Sequence, residues 1–170
     1  MTDTYIWQKV RQRFLSIDAT IPVRQLVDGT EDEWEEVESE IIKKETDENG
    51  ETTYTNVVDP NDVSKREDLQ SKDEIWFEIF PLHSRPTQQE LGTTGRNRWL
   101  LGFQININSP RNLGTYDIDA VYDAIAAQFK RGDIFDGIRV LQTAYRSSAR
   151  FMVDYYSEPV TVMLQADLDN

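Results

Sequence analysis

Between Trp99 and Ile107 every second residue is large and apolar: Trp99, Leu101, Phe103, Ile105 and Ile107. The partners in between include Gln104 and Asn106, with Asn108 following in the same phase. A side-chain period of two predicts a strand with one face in the core and the other wet or at an interface. Ser109, Pro110 and Gly114 break the pattern. Thr115 then stands where an N-cap belongs, with Asp117 and Asp119 in the positively polarised first turn of a helix. Ile118, Val121, Tyr122, Ile125 and Phe129 recur at helical spacing, and Lys130, Arg131 and Gly132 supply the charge and the breaker of a helix end. A one-faced strand beside a one-striped helix reads as a sheet covered by a helix.

The rest of the chain extends this pattern. Thr4 to Ser16 reads as an amphipathic helix with Ile6, Val10 and Phe14 on one stripe, capped by Asp3 or Thr4, and Ile21-Pro22-Val23 as a short edge piece. Ile75, Phe77 and Ile79 alternate with Trp76, Phe80 and Leu82, a strand apolar on both faces and so expected to be covered on both. Ser84 to Asn97 reads as a loop without structure of its own. Three closing strands are expected at Ile138–Tyr145, Phe151–Tyr155 and Val160–Ala166, joined at Ser147-Ser148 and Glu158-Pro159. The expected class is α+β: one domain over residues 1–170, a largely antiparallel sheet flanked by two helices, with an acidic inserted hairpin module at about 28–73.

Charge sets that module apart. The net charge is −13, and Asp28 to Glu74, with 18 acidic and 5 basic residues, carries all of it. Glu31 to Glu40 holds seven acids around Trp34 and Val37, too few apolar residues for a core. Farther on, Asn49-Gly50 between Ile41-Ile42 and Tyr54-Val57-Val58 signals a hairpin, and Asp59-Pro60 would open a short helix to about Leu69. So acidic a chain does not hold nucleic acid by neutralising phosphates. There is no cysteine, which excludes disulfides and thiol catalysis. No apolar run is long enough for a bilayer span and the first residues lack a secretory pattern, so the expectation is a protein that stays in the cytoplasm where it is made, with no membrane partner.

Little in the sequence points to catalysis. His83 is the only histidine, and G-x-S-x-G, G-x-x-x-x-G-K and G-x-G-x-x-G are all absent. Glu45, Asp47, Asn49 and Gly50 approach the opening of a calcium loop, yet the closing glutamate position holds Asn56, so a polar turn is the better reading. The expectations are no catalytic residue, no metal and no cofactor.

From Ile75 onward the chain resembles the tail terminator (tail completion) proteins of long-tailed bacteriophages. The residues that carry this are Trp76-Phe77-Glu78-Ile79-Phe80-Pro81 and Gly95-Arg96-Asn97-Arg98-Trp99-Leu100-Leu101-Gly102-Phe103-Gln104-Ile105, then Ser109-Pro110-Arg111-Asn112-Leu113-Gly114 and the helix Ala120 to Phe129. The turn departs from the pattern at Arg111 and Asn112, and the acidic segment does not belong to it. The resemblance implies a structural virion protein, made in the bacterial host cytoplasm and placed at the head–tail junction. It implies a homo-oligomeric ring, typically hexameric, that caps the tail tube protein, stops its polymerisation and meets the head–tail connector or stopper protein. DNA would pass through without specific binding, aided by the acidic excess. The candidate tube or subunit interface is the polar loop with Arg85, Gln88, Gln89, Glu90, Leu91, Thr94, Arg96 and Arg98. A candidate acidic face comprises Glu31, Asp32, Glu33, Glu35, Glu36 and Glu38. Two alternatives remain: an acidic DNA mimic that blocks a nucleic-acid-binding partner, and a small enzyme built on His83.

Overall fold

The computed structural model describes residues 3–26, 33–71, 74–82, 87–88, 96–110 and 116–169. In chain order the elements are α1 (Asp3–Leu15), β1 (Thr20–Leu26), β2 (Trp34–Glu40), β3 (Lys44–Thr46), β4 (Thr52–Tyr54), β5 (Val57–Val58), α2 (Val63–Ser71), β6 (Trp76–Leu82), β7 (Thr87–Gln88), β8 (Arg96–Pro110), α3 (Tyr116–Gln128), β9 (Ile134–Phe135), β10 (Ile138–Arg146), β11 (Arg150–Phe151) and β12 (Tyr155–Asp169). The class is α+β. One eight-stranded sheet runs β5-β6-β8-β12-β10-β9, with β7 beside β8 and β11 beside β12, while β1-β2 and β3-β4 form separate two-stranded pairs.

The alternating stretch at Trp99 becomes the middle of β8, which pairs with β12 over fifteen residues, from Tyr155 opposite Pro110 to Asp169 opposite Arg96. Leu101, Phe103, Ile105 and Ile107 face the core with Val160, Val162, Leu164 and Ala166 of β12 and Ile138, Val140 and Ala144 of β10. Both α1 and α3 pack on this side: Ile6, Val10 and Phe14 from one, Ile118, Val121 and Ile125 from the other, all buried. Phe14 meets Phe77 edge-on at 5.4 Å and Trp7 stacks on Phe103 at 5.9 Å. The two helix ends are tied by reciprocal bonds. Arg13 Nε donates to the Gln128 carbonyl at 2.9 Å, and Gln128 Nε2 donates to the Arg13 carbonyl at 2.9 Å. Each bond satisfies a terminal carbonyl that a helix leaves unpaired.

Among the described residues, the other sheet face is covered at one end only. Strands β5 and β6 are parallel, and α2 is their crossover. It lays Leu69 against Val58 and Trp76 there, with Tyr155 at the rim. Towards the opposite end of β6, Phe80 is half-buried and Leu82 exposed, so the expected cover on both faces holds for Trp76 and Phe77 and lapses beyond them.

Several expectations from the sequence are corrected. Glu158-Pro159 is not a connection but lies inside β12, where Pro159 sits opposite Asn106. The Pro159 carbonyl accepts from Ser147 N, so its ring nitrogen points to the same side, where β10 has just ended and no ladder donor is required. Phe151–Tyr155 is not a strand of its own: β11 covers Arg150–Phe151 and β12 starts at Tyr155. In the loop expected to lack structure, Thr87 and Gln88 pair with Arg98 and Asn97 of β8, extending the edge that β6 leaves at Gly102. Farther upstream, Asp62 rather than Asp59-Pro60 caps α2, its Oδ1 accepting from Lys65 N at 3.1 Å.

The acidic stretch supplies both strands and core residues. Strand β2 pairs along all seven residues of β1, with Pro22 opposite Glu38 and Arg24 opposite Glu36. Ile41, Ile42 and Val57 belong to the main core. The Asn49-Gly50 turn joins β3 to β4, with Gly50 at φ +82 and the Asp47 carboxylate accepting from Asn49 N and Glu51 N. That carboxylate is organising a turn.

Candidate assembly surfaces

Of the polar-loop candidates, Gln88 is placed by its backbone on β7 and Arg96 on β8. Arg98 is engaged within the chain: its Nε donates to Asp167 Oδ1 at 2.9 Å across the β8–β12 ladder. That bond is the main reason the Asp167 carboxyl sits below its ordinary range. Arg85, Gln89, Glu90, Leu91, Thr94 and also His83 lie outside the described residues. On the acidic face, Glu33 precedes β2 and Glu35, Glu36 and Glu38 lie on it, all exposed, whereas Glu31 and Asp32 are outside the described residues. Among the described residues no bond or ion pair joins the two groups: β2 belongs to the β1-β2 pair, and Arg96 and Arg98 to the main sheet.

Two surfaces emerge that the sequence did not single out. The first is the connection after β10. Phe151, Met152 and Val153 are three consecutive apolar residues with 77%, 43% and 81% exposure. They form a convex tip: Phe151 pairs with Tyr156 and meets its ring edge-on at 5.1 Å, and Met152 N donates to the Tyr155 carbonyl. Isolated exposed apolar residues are ordinary on soluble proteins, whereas a contiguous run is a candidate contact surface. The sequence hides it because Phe151 and Val153 flank Met152 with the alternation of a strand.

A charged cluster sets the base of this tip. Arg146, the last residue of β10, donates from Nη1 to Glu158 Oε1 at 3.1 Å and pairs with Asp119 in the first turn of α3. Its guanidinium lies 4.5 Å from the Tyr122 ring centre. Tyr156 Oη donates to Glu158 Oε2 at 3.0 Å, so both oxygens of a carboxylate whose side chain is 8% exposed are satisfied. The Asp119 hydrogen bond, ahead of the Glu158 contacts, raises the pKa of Arg146. Burial, then the bond to Glu158, raises that of Tyr156.

The second surface is the uncovered end of the sheet, where Leu82 and Leu100 are 39% and 43% exposed. Leu82 lies directly on Gly102, whose missing Cβ would fall 2.9 Å from the Leu82 Cβ. A glycine is required for this close approach, and it holds the leucine flat on the sheet. A groove of about 470 Å³ between β3-β4 and α2 is lined by Lys43, Lys65, Tyr54 and Glu74 among others. Two of its cations are already engaged: Lys43 pairs with Glu74 at 3.1 Å, and Lys65 Nζ donates to the carbonyls of Tyr54 and Val57.

No family model matches the chain, and no curated protein does. Among solved structures, two chains match. One superposes with a TM-score of 0.39 at 16% identity, over 54% of this chain and 66% of its own length, just under two thirds.

Proposed function

We propose that this chain is a structural, non-catalytic ring-forming protein of the tail-terminator type, which caps a phage tail tube and joins it to the head connector. The observation that carries the reading is the pair of unlike apolar surfaces on one chain. The convex tip Phe151–Val153 leaves the sheet beside the start of β12, and the flat patch Leu82–Leu100 lies towards the end of β12. Unlike surfaces meeting head to tail generate a ring when the rotation closes. The sequence pattern from Ile75 onward supports the same reading, and on it the protein resides in the virion. The loop Ser84–Asn97 would dock on the tube or on the neighbouring copy. In the same proposal the acidic stretch is an inserted hairpin module, on which Glu33, Glu35, Glu36 and Glu38 would face the DNA conduit and keep the duplex sliding.

The test is to add purified chain to polymerising tail tube protein and measure tube length by negative-stain microscopy. Tubes should stop at a ring-shaped cap, and deletion of Gln88–Thr94 should abolish capping. Tubes that keep growing in the presence of excess chain refute the proposal. The exposed acids of β2 favour the DNA-mimic alternative as a second reading. It requires a basic partner whose affinity falls as salt rises, with no effect on tubes.

A further inference from the structure

On the sheet face away from α1 and α3, Trp76, Asn108 and Ser157 form one cross-strand rung, and all three side chains are buried. Asn108 is 1% exposed, yet among the described residues neither its Oδ1 nor its Nδ2 has a hydrogen-bond partner. The indole Nε1 of Trp76, a fully buried residue, has none either. Buried polar groups are almost always satisfied, so three orphans on one rung mark a place where closure costs free energy. The element laid over this end of the face is α2, and among its described side chains only Leu69 is buried. Its clasp to β6 is equally thin, and one further bond, from Lys65 Nζ to the Val57 carbonyl at 3.1 Å, holds it to β5. Arg66 Nε lies 3.2 Å from Glu78 Oε1, one rung along, but neither atom gains a hydrogen bond of good geometry.

We propose that α2 is a strap that opens from the sheet while α1, α3 and the β8–β12 ladder stay folded. Opening lets water reach the Asn108 amide and the Trp76 indole, which offsets the exposure of Leu69 and of the Trp76 ring. Asn108 therefore sets the balance: it acts on α2 from a different element and lowers the free energy of opening. A strand residue chosen only for tight packing at that position would be apolar. The inference rests on the rung and the clasp, and it stands whether or not the chain assembles on a tail tube.

Hydrogen exchange on the full chain tests it. Amides of 63–71 and the Trp76 indole proton should exchange together, at least about 100-fold faster than the amides of β8. Asn108→Leu removes both amide orphans at similar volume and should slow exchange in 63–71 about tenfold. Arg66→Met, which cuts the clasp and leaves the core untouched, should speed it about tenfold; this arm decides the matter if Asn108→Leu does not fold. Exchange of 63–71 and the indole at the β8 rate in the unaltered chain overturns the proposal. So does an Asn108→Leu chain whose strap exchanges as fast as before.

Discussion

Replacing Arg146 by methionine tests the cluster that fixes the exposed tip. The guanidinium makes a charge-assisted bond to Glu158, and such bonds contribute about 1.5–3 kcal/mol. Because the Arg146 side chain is 38% exposed, solvent screening puts the value at the low end of that range. Its stack on Tyr122 adds about 0.5–1 kcal/mol. The Asp119 pair is 57% exposed on the carboxylate side and is counted as nothing. The loss should be about 2 kcal/mol, which for a chain of this size lowers Tm by about 4–8 °C. Urea titration monitored by circular dichroism gives the free energy directly. Most of the loss comes from stranding a carboxylate that is 8% exposed, so Arg146→Met with Glu158→Gln should recover at least about half of it. A single-variant loss below about 0.5 kcal/mol, or a double variant no better than the sum of its parts, would refute the reasoning.

Gly102→Ala should cost about 1–3 kcal/mol, read as a lower urea midpoint, because the new Cβ would meet Leu82 Cβ at 2.9 Å. An unchanged midpoint would mean that β6 shifts freely against β8. Burial and the Glu158 bond hold the Tyr156 pKa above its ordinary 10.0, so the folded state keeps a proton that the unfolded chain releases. Stability from this group is therefore complete below about pH 10 and is lost as pH rises through the folded value. Tyr156→Phe should flatten that alkaline decline in a pH series of urea titrations. Phe151→Ser with Val153→Ser should change monomer stability by less than about 0.5 kcal/mol, since both side chains are largely exposed, while abolishing tube capping in the microscopy assay. Capping that survives this change removes the tip from the interface.

How far the sequence revealed the structure depended on where the deciding physics was local. The period of β8 and the stripes of α1 and α3 are set by burial of one face, and Ile105 or Val121 shows that within a few residues of chain. Strand β2 was illegible for the opposite reason: glutamates have poor strand propensity, and only its ladder with β1 makes one of them. Pro159 misled because its acceptability rests on where β10 stops, a tertiary fact. One miss was avoidable. Asp136-Gly137, with φ of 47 and 78, joins β9 to β10, and Asp-Gly between apolar residues is a strong short-range hairpin signal. The exposed tip and the orphaned rung were hardest to see: the exposure of Phe151 and Val153 and the unsatisfied state of Asn108 depend on how other elements pack around them.

The β8–β12 ladder has a kinetic consequence. Its partners range from Pro110 with Tyr155 to Arg96 with Asp169, so even the nearest lie dozens of residues apart with α3, β9 and β10 in between. Since β12 sits between β8 and β10, the middle of the sheet is delivered after every other strand. A ribosome-bound chain therefore carries two half-finished apolar edges until β12 emerges, and zipping them waits on the closure of a long loop. Slow maturation, and a need for protection from sticking in the meantime, follow from that order of synthesis.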